Sequence, residues 1–421
     1  MSVIANKYNL KPFKEAPLST SPIKPIELQA VDLSLYQDGP KNLPIRQKLA
    51  NQIEKSLSTY GFIMIINHGF PHEKLEFLKS LAQGILQVPI EDQLPYLAGA
   101  LKSDLEDRSI SLGGERGAGY KPKKYWSMRN GVEDSIIHYN FNNMQHPSFF
   151  QGSGNINNNN KYPPIVKDHL FPIAEYYRYL HNNVLKKLCN LIDIVLELPE
   201  GFIWENYYKI IPNDYKNSGG GAGRFMLYEK MDPQDQEKVD NTWLRGHSDS
   251  GGFTFITSQP ILSLQIRDYF TGEWNYVGHT PNGLIVNIGD AMEFITGGYF
   301  KSSIHRVIGP PIDQQNFQRL VLIYFCKPKS TCILDPEFLN SPKLNRLNIN
   351  KPKEWEKIDF NAWNNEKSRL FGKKFINDTQ SDEPKLVLLY GRLHERWHQA
   401  EIDFSLQEAE KKFQIIKLDL T

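Results

Sequence analysis

The chain has 421 residues, of which 49 are basic and 48 acidic, so its net charge is +1. This balance argues against a nucleic-acid partner, because such binders carry a basic excess on one face. No segment approaches the roughly 18 consecutive apolar residues of a membrane span, and three scattered cysteines do not form a disulfide framework. We therefore predict a cytoplasmic protein with neither a nucleic-acid nor a membrane partner.

The N-terminal part of the chain combines an extended arm with helices. Pro12, Pro17 and Pro22, together with Pro25 just after it, break any helix in residues 1–24, which we treat as the arm. Apolar residues at helical spacing predict helices over residues 44–60 and 71–87, with a buried strand at Phe62–Ile66 between them. Residues 25–110 therefore form a predicted region of helices and a strand.

The middle of the chain, residues 111–222, is interpreted as substrate-lid loops followed by a long helix over 164–198. A glycine-rich run, residues 219–223 (GGGAG), lies at the boundary with the next region. A nucleotide-binding loop would need a further glycine and a following helix, and neither is present. We expect this run to be a flexible loop.

From residue 223 the pattern changes to short β-branched and aromatic runs separated by turns. Six strand candidates without intervening helices predict an antiparallel sandwich or barrel. After Pro328 the chain becomes polar and then regains a helical pattern over 386–413, so residues 331–421 are predicted to be a C-terminal helical extension. The strand candidates cover residues 253–257, 262–266, 274–277, 284–288, 304–307 and 320–325.

His247 and Asp249 stand two residues apart, just before a predicted strand. Side chains at this spacing on a strand point to the same face. His305 lies within a later strand candidate. Two imidazoles and one carboxylate that bind one face of a metal ion leave coordination positions on the opposite face open, which is the arrangement associated with iron(II) and oxygen chemistry. The competing interpretation is a surface turn, because a histidine and an aspartate often occur this close by chance.

Arg319 opens an otherwise apolar strand, at residues 320–325. A guanidinium in such a place needs an anion or water. A dicarboxylate co-substrate could supply the anion through a bidentate pair. An internal salt bridge to Asp or Glu is the alternative.

Longer motifs join these residues into a family pattern. Residues 60–62 (YGF) and 67–69 (NHG) belong to it, as do 246–254 (GHSDSGGFT), 264–266 (LQI), 272–274 (GEW), 286–290 (VNIGD) and 296–307 (TGGYFKSSIHRV). The chain from about residue 25 to 330 resembles the isopenicillin N synthase-like iron(II)/2-oxoglutarate-dependent dioxygenases. Residues 297–299 and 310–318 are most similar to fungal members of that family.

This resemblance implies an α+β protein whose core, residues 223–330, is a double-stranded β-helix (jelly roll) with flanking helices. It implies oxidation of a C–H bond in a small-molecule substrate with iron(II), 2-oxoglutarate and O2. An oxygenase of the same fold that uses no 2-oxoglutarate is the alternative. The implied iron ligands are His247, Asp249 and His305, and the implied 2-oxoglutarate contacts are Arg319 and Tyr228.

Two positions depart from the family pattern. The family's Arg-x-Ser motif ends here in Val321, and the asparagine expected two residues before Tyr228 is Met226. A lost hydrogen bond to a charged group costs about 1.5–3 kcal/mol, so we expect co-substrate binding weakened roughly ten- to a hundredfold.

The substrate pocket is predicted from the residues that precede or line the barrel. Aromatic and amide side chains there suit a small, partly apolar metabolite with a polar handle. The alternative for Tyr120 and Trp126 is that they only pack a loop. The predicted pocket residues are Tyr120, Trp126, His138, Tyr139, Asn140, Phe225 and Phe325.

Two further functions compete with an oxygenase. Residues 394–398 (HERWH) match H-E-x-x-H, which on a helix binds zinc in metallopeptidases. Few residues follow this motif, and the chain lacks the H-x-x-G-x-x-H extension that supplies a further zinc ligand in some metallopeptidases. Zinc proteolysis is therefore the weaker hypothesis. A non-enzymatic binding module on an inactive jelly roll is opposed by the complete set of His247, Asp249 and His305.

Overall fold

The computed structural model describes residues 7–98, 118–126, 128–147, 162–371, 386–395 and 415–417. Its strands, in chain order, are β1 Ala30–Asp32, β2 Phe62–Ile66, β3 Gly119–Lys121, β4 Ile136–Asn142, β5 Gly220–Tyr228, β6 Thr242–His247, β7 Phe253–Thr257, β8 Leu264–Arg267, β9 Trp274–Tyr276, β10 Leu284–Ile288, β11 His305–Ile308, β12 Arg319–Lys327, β13 Leu386–Leu389, β14 Arg392–Glu395 and β15 Ile415–Lys417.

Two of the sheets form the jelly-roll core. The larger has the order β1-β2-β10-β7-β12-β5-β4-β3, and the smaller has the order β6-β11-β8-β9. The strands pair antiparallel except for the short edge pair β1–β2. The predicted double-stranded β-helix with flanking helices is confirmed, and β1–β4 extend it with strands from before residue 223.

Alternation of side chains divides the larger sheet into two faces. Val321 and Ile323 on β12 belong to an apolar cluster between the two sheets. Their neighbours Leu320 and Leu322 belong to a second cluster, between the larger sheet and the helices. This period of two is a property of strand geometry, and it decides which side chains can reach the barrel interior.

The helices cover the outer face of the larger sheet. Among the described residues, no helix is both long and apolar enough to cross a lipid bilayer. The predicted helix over 164–198 is present but is broken at His169, and it contains a π-helical turn at Leu180–Leu185. The α-helices are α1 Leu43–Leu57, α2 His72–Leu86, α3 Ile90–Gln93, α4 Pro164–Asp168, α5 Leu170–Tyr179, α6 Lys186–Val195, α7 Pro233–Lys238, α8 Asp290–Ile295, α9 Pro336–Leu339, α10 Pro342–Arg346 and α11 Phe360–Phe371.

The glycine-rich run is not the flexible loop that we expected. Residues 220–223 begin β5 and pair with β12. A Cβ at Gly221 would overlap the ring of Tyr324, and one at Gly223 would overlap the ring of Tyr177. These glycines are therefore required for the close approach of tyrosine rings to the strand.

The helix predicted over residues 386–413 is wrong in its first part. Leu386–Leu389 and Arg392–Glu395 form an antiparallel hairpin. Its two turn residues, Tyr390 and Gly391, have φ values of 50° and 78°, as a tight I′ turn requires. Apolar spacing that suits a helix also suits a short hairpin, and the turn residues decide between them.

This hairpin also removes the basis for the zinc hypothesis. His394 and Glu395 are consecutive residues of β14, whereas the H-E-x-x-H site needs a helical turn to bring its histidines together. His398 lies outside the described residues. Within the described ranges, the one group of three metal-ligating side chains is His247, Asp249 and His305.

Candidate metal centre

His247 and His305 face each other on adjacent strands. His247 ends β6, His305 begins β11, and the two are register partners. Asp249 follows two residues after β6, with its Oδ1 3.9 Å from His247 Nε2 and its Oδ2 3.8 Å from His305 Nε2. One potential ligand atom from each residue lies within 4.8 Å of the other two.

Backbone carbonyls set the orientation of both imidazoles. The Nδ1 atom of His247 lies 2.9 Å from the carbonyl oxygen of Arg245, and that of His305 lies 3.2 Å from the carbonyl oxygen of Ser303. A carbonyl only accepts, so each Nδ1 must donate, and the lone pair is on Nε2. Both rings thus present Nε2 to the same point, as metal-ligating histidines do.

Asp249 is held by two side chains on neighbouring strands. Its Oδ2 accepts hydrogen bonds from Thr254 Oγ1 at 2.7 Å and from Asn287 Nδ2 at 2.8 Å. Burial opposes ionisation of this carboxyl group, but the two histidines and these hydrogen bonds hold its pKa below the ordinary value. Asp249 is therefore a carboxylate with Oδ1 available as a ligand.

The donor set fits iron(II). Two imidazole nitrogens and one carboxylate oxygen converge from one side, which is the arrangement of oxygen-activating iron sites with open positions. Phe62 packs its ring against His305, with 5.5 Å between the ring centroids. This apolar contact limits the access of water to one side of the site.

Arg319 is a buried cation at the start of β12. It is 3% exposed, and within the described ranges it forms no ion pair, so these residues provide no internal salt bridge of the kind that the alternative requires. Its guanidinium carbon lies 4.6 Å from the ring centroid of Tyr228, the opposing residue on β5. Burial lowers the pKa of Arg319, which Tyr228 partly offsets. Such a cation needs an anion to compensate its burial.

The two departures from the family pattern meet in the structure. Val321 and Met226 are register partners on β12 and β5, and both are buried between the sheets. An apolar pair thus occupies the place where the family pattern has a hydroxyl and an amide. Replacing both partners of a polar pair by apolar groups can be nearly neutral for stability. The weakened co-substrate binding stays a prediction.

Sequence models of two protein families match the chain. The model of the 2OG-Fe(II) oxygenase superfamily matches residues 206–328, which include the five residues of the proposed metal and 2-oxoglutarate sites. The N-terminal model of non-haem dioxygenases in morphine synthesis matches residues 28–134. Together the two matches span more than half of the chain. The chain belongs to the 2OG-Fe(II) oxygenase superfamily. It is therefore an oxidoreductase that uses iron(II), 2-oxoglutarate and O2.

Individual relatives of this oxygenase are distant. Feruloyl CoA ortho-hydroxylase 2 of Arabidopsis thaliana is 23% identical over 75% of this chain and 77% of its own length. The 2-oxoglutarate-dependent dioxygenase citB of Monascus ruber is 26% identical over 71% of this chain and 84% of its own. The solved structure of a full-length Neurospora crassa protein in complex with alpha-KG (2-oxoglutarate) superimposes with a TM-score of 0.59 at 15% identity, covering 81% of this chain and 95% of the other.

The predicted substrate residues of this oxygenase fall on two faces. Trp126 and Phe325 pack against the cluster between the sheets. His138 and Asn140 alternate with Ile137 and Tyr139 on β4, and they share the inner face of Ile136. These four predicted residues are therefore placed on the inner side of the barrel.

The other three predicted pocket residues point away from it, which corrects that assignment. Tyr120 donates a hydrogen bond to the carbonyl oxygen of Ile85 at 2.9 Å, and Tyr139 packs edge-on against Tyr120. Phe225 packs against Phe141, with 4.9 Å between the ring centroids. Consecutive strand residues cannot all face one cavity, so Tyr120, Tyr139 and Phe225 belong to the core beneath the helices.

Three cations on the inner face were not among the predicted site residues. They are Lys121, Arg224 and Lys327. Counting in steps of two from Tyr228 reaches Arg224, and counting from Arg319 reaches Lys327, so alternation would have identified both. Asn287 and Thr254 were missed for another reason, since their contact with Asp249 depends on strand pairing far apart in sequence.

Proposed function

We propose that this oxygenase oxidises a C–H bond of a small molecule while it converts 2-oxoglutarate to succinate. For hydroxylation the balance is R–H + O2 + 2-oxoglutarate → R–OH + succinate + CO2. The observation that carries the proposal is that the His–Asp–His group opens on the same barrel interior as the buried Arg319, which forms no ion pair among the described residues. One interior thus holds a metal-binding group and a receptor for a carboxylate.

The metal-binding residues have defined parts in this proposal. His247, Asp249 and His305 hold iron(II), which supplies the redox chemistry with O2 when it is bound. Thr254 and Asn287 bind Oδ2 of Asp249 and, with the two histidines, favour its ionised form, so that Oδ1 would be available as an iron ligand.

Arg319 binds the distal carboxylate of 2-oxoglutarate through a charge-assisted pair, and the Tyr228 hydroxyl provides a further contact. The aromatic ring of Tyr228 stacks against the guanidinium and limits its freedom. This arrangement orients the opposite end of the co-substrate toward the ligand group. We therefore assign Arg319 and Tyr228 to co-substrate binding.

The names of the relatives support a small organic substrate. One is a hydroxylase of feruloyl CoA and another is a 2-oxoglutarate-dependent dioxygenase. Hydroxylation is accordingly the preferred outcome for this chain.

The cysteines support the predicted cytoplasmic location. Cys189, Cys326 and Cys332 are free and buried, which suits the reducing cytoplasm.

The test is formation of succinate from 2-oxoglutarate by the purified protein. We expect a slow reaction that requires both added iron(II) and O2, and that is lost in His305→Ala. The control is His279→Ala, because His279 bonds Ser258 away from the ligand group. Equal succinate formation by His305→Ala and wild type would disprove the proposal.

A further inference from the structure

Three cations and a histidine lie along the inner face of the larger sheet, between the level of Val321 and the end of β12. We call this region the mouth: it extends to Lys327, the last residue of β12, and Asp249 lies beside it near Phe325, whose register partner is Thr254. Lys121 on β3 is the register partner of His138 on β4. Arg224 on β5 pairs with Asn140, and its Nε donates to Asn140 Oδ1 at 2.8 Å. Lys327 is the last residue of β12 and lies on the same face as Arg319.

In the part of the chain that the structure describes, Lys121, Arg224 and Lys327 form no close ion pair, although the Asp249 carboxylate attracts Arg224 from a longer distance. Burial has the largest effect on the Lys121 ammonium group, and the positive charges of Arg224 and Lys327 act in the same direction. Together they lower the pKa of Lys121 to about 7. Burial and Arg224 likewise lower the pKa of Lys327. The three groups therefore repel each other in a partly dehydrated place, which an anion would relieve.

His138 adds an unused polar group to the same place. It is fully buried, and neither ring nitrogen has a hydrogen-bond partner among the described residues. Its ring stacks on Trp126 with 4.8 Å between the centroids. The Arg224 guanidinium carbon lies 5.0 Å from the Phe325 ring centroid and 5.8 Å from that of Trp126. An aromatic wall thus borders the cations.

The cations lie beside the proposed metal centre. Phe325 is the register partner of Thr254, which donates to Asp249. The backbone N–H of Gly252 donates to the carbonyl oxygen of Cys326 at 2.9 Å, which ties the loop after Asp249 to the residue before Lys327. A ligand held at the mouth would therefore reach the metal.

We propose that Lys121, Arg224 and Lys327 bind the carboxylate of the substrate, so that this enzyme acts on an organic acid with an apolar body. This inference rests on the proposed function and names its substrate class. Arg224 offers a planar, bidentate contact and the lysines add charge. Trp126 and Phe325 contact the apolar body, and His138 contributes a hydrogen bond.

One 2-oxoglutarate molecule cannot contact both Arg319 and Lys327. Lys327 is eight residues beyond Arg319 on the same strand, which corresponds to about 26 Å at roughly 3.3 Å per residue. A five-carbon dicarboxylate is much shorter than this distance. The anion that Lys327 binds is therefore separate from the carboxylate that Arg319 binds, whereas Arg224 and Lys121, which are level with Ile323 and Val321, lie nearer to Arg319.

The experiment is calorimetric titration of the anaerobic iron(II) protein, saturated with 2-oxoglutarate, with matched pairs of aryl acids and their methyl esters. The pairs are phenylacetate, 4-phenylbutanoate and indole-3-acetate, each with its ester. We expect at least one acid to bind at least tenfold more tightly than its ester. Lys327→Gln and Lys121→Gln should each remove at least fivefold of that preference.

The matched control is Lys329→Gln, which makes the same change of charge two residues from Lys327. Lys329 donates to the backbone carbonyl of Glu205 on the exposed surface, and its loss should leave acid binding unchanged. The inference is overturned if no acid is preferred to its ester, or if Lys327→Gln weakens 2-oxoglutarate instead of the acid. The absorption band of iron-chelated 2-oxoglutarate tests the proposed function separately, since it persists when only the substrate assignment fails.

Discussion

Asp249 presents one carboxylate oxygen to the proposed metal position because Thr254 and Asn287 bind the other. Such partners of metal ligands fix the ligand geometry and charge, and their removal typically reduces metal affinity by about ten- to a hundredfold. Asn287 is fully buried on β10, so its loss is not compensated by solvent.

Replacing Asn287 by Leu should therefore lower iron(II) affinity by about ten- to a hundredfold. The measurement is competition with a fluorescent iron chelator under anaerobic conditions. Asn275→Leu is the control, because Asn275 lies on the edge strand β9 and donates to the exposed backbone carbonyl of Glu273. Unchanged affinity in Asn287→Leu would mean that Asp249 is oriented without it.

Arg319 gives the second residue-level prediction. Arg319→Gln should raise the Kd of 2-oxoglutarate at least tenfold, because breaking one side of a desolvated charge pair costs about 3–5 kcal/mol. Iron(II) affinity should stay at the wild-type value, since Arg319 is not among the proposed ligands. Anaerobic titrations with 2-oxoglutarate and with iron(II) measure the two affinities, and unchanged 2-oxoglutarate binding would place the co-substrate elsewhere.

At the scale of elements, α11 supports the loop that carries the metal ligands. Lys367 donates to the carbonyl oxygen of Ser248 at 2.9 Å and to its Oγ at 2.7 Å, and it pairs with Asp290 at the start of α8. Ser250 Oγ donates to Asn364 of the same helix at 2.8 Å. This helix lies beyond residue 328, where the superfamily match ends. The segment that carries α11 is thus part of the catalytic core.

Lys367→Met should lower the free energy of unfolding by about 3–5 kcal/mol, because it leaves the Asp290 carboxylate buried without this cation. Iron(II) affinity should fall as well, since Ser248 lies between two ligands. Denaturant unfolding and iron competition measure the two effects. The double variant Lys367→Met/Asp290→Leu should recover part of the stability, and no recovery would show that the pair is not the cause.

The glycines of β5 give a second prediction for an element. Gly223→Ala should reduce the free energy of unfolding by about 1–3 kcal/mol, because the new Cβ overlaps the Tyr177 ring. Gly220→Ala is the control, since the nearest atom to its Cβ, Cβ of Lys327, is 3.3 Å away. Denaturant unfolding measures both variants. Equal stability of the two would refute the packing role of Gly223.

For the whole molecule, local patterns predicted β2 and β7–β12 and proposed the ligand set, but they did not predict β1, β3–β6 or β13–β15. β7 and β10 begin and end at the predicted residues, because alternation and turns specify them. The pocket prediction failed for Tyr139 because its side chain alternates with those of His138 and Asn140. Which strand pairs with which is not encoded in local spacing, so the contact of Asn287 with Asp249 could not be predicted from the sequence.

The interior of the barrel brings three sites together. Arg319 lies at one end of β12, the cations lie at the mouth, and the His–Asp–His group lies beside the mouth. A co-substrate bound at Arg319 and an acid bound at the mouth would meet at the metal position. The arrangement therefore depends first on whether iron(II) and 2-oxoglutarate bind together.

Anaerobic titration of the iron(II)-loaded protein with 2-oxoglutarate tests this most directly. We predict a visible charge-transfer band that saturates with one 2-oxoglutarate per chain in wild type, weakens in Arg319→Gln and is absent in His305→Ala. A protein that develops no band at millimolar 2-oxoglutarate, or a band of equal strength in His305→Ala, would contradict the account.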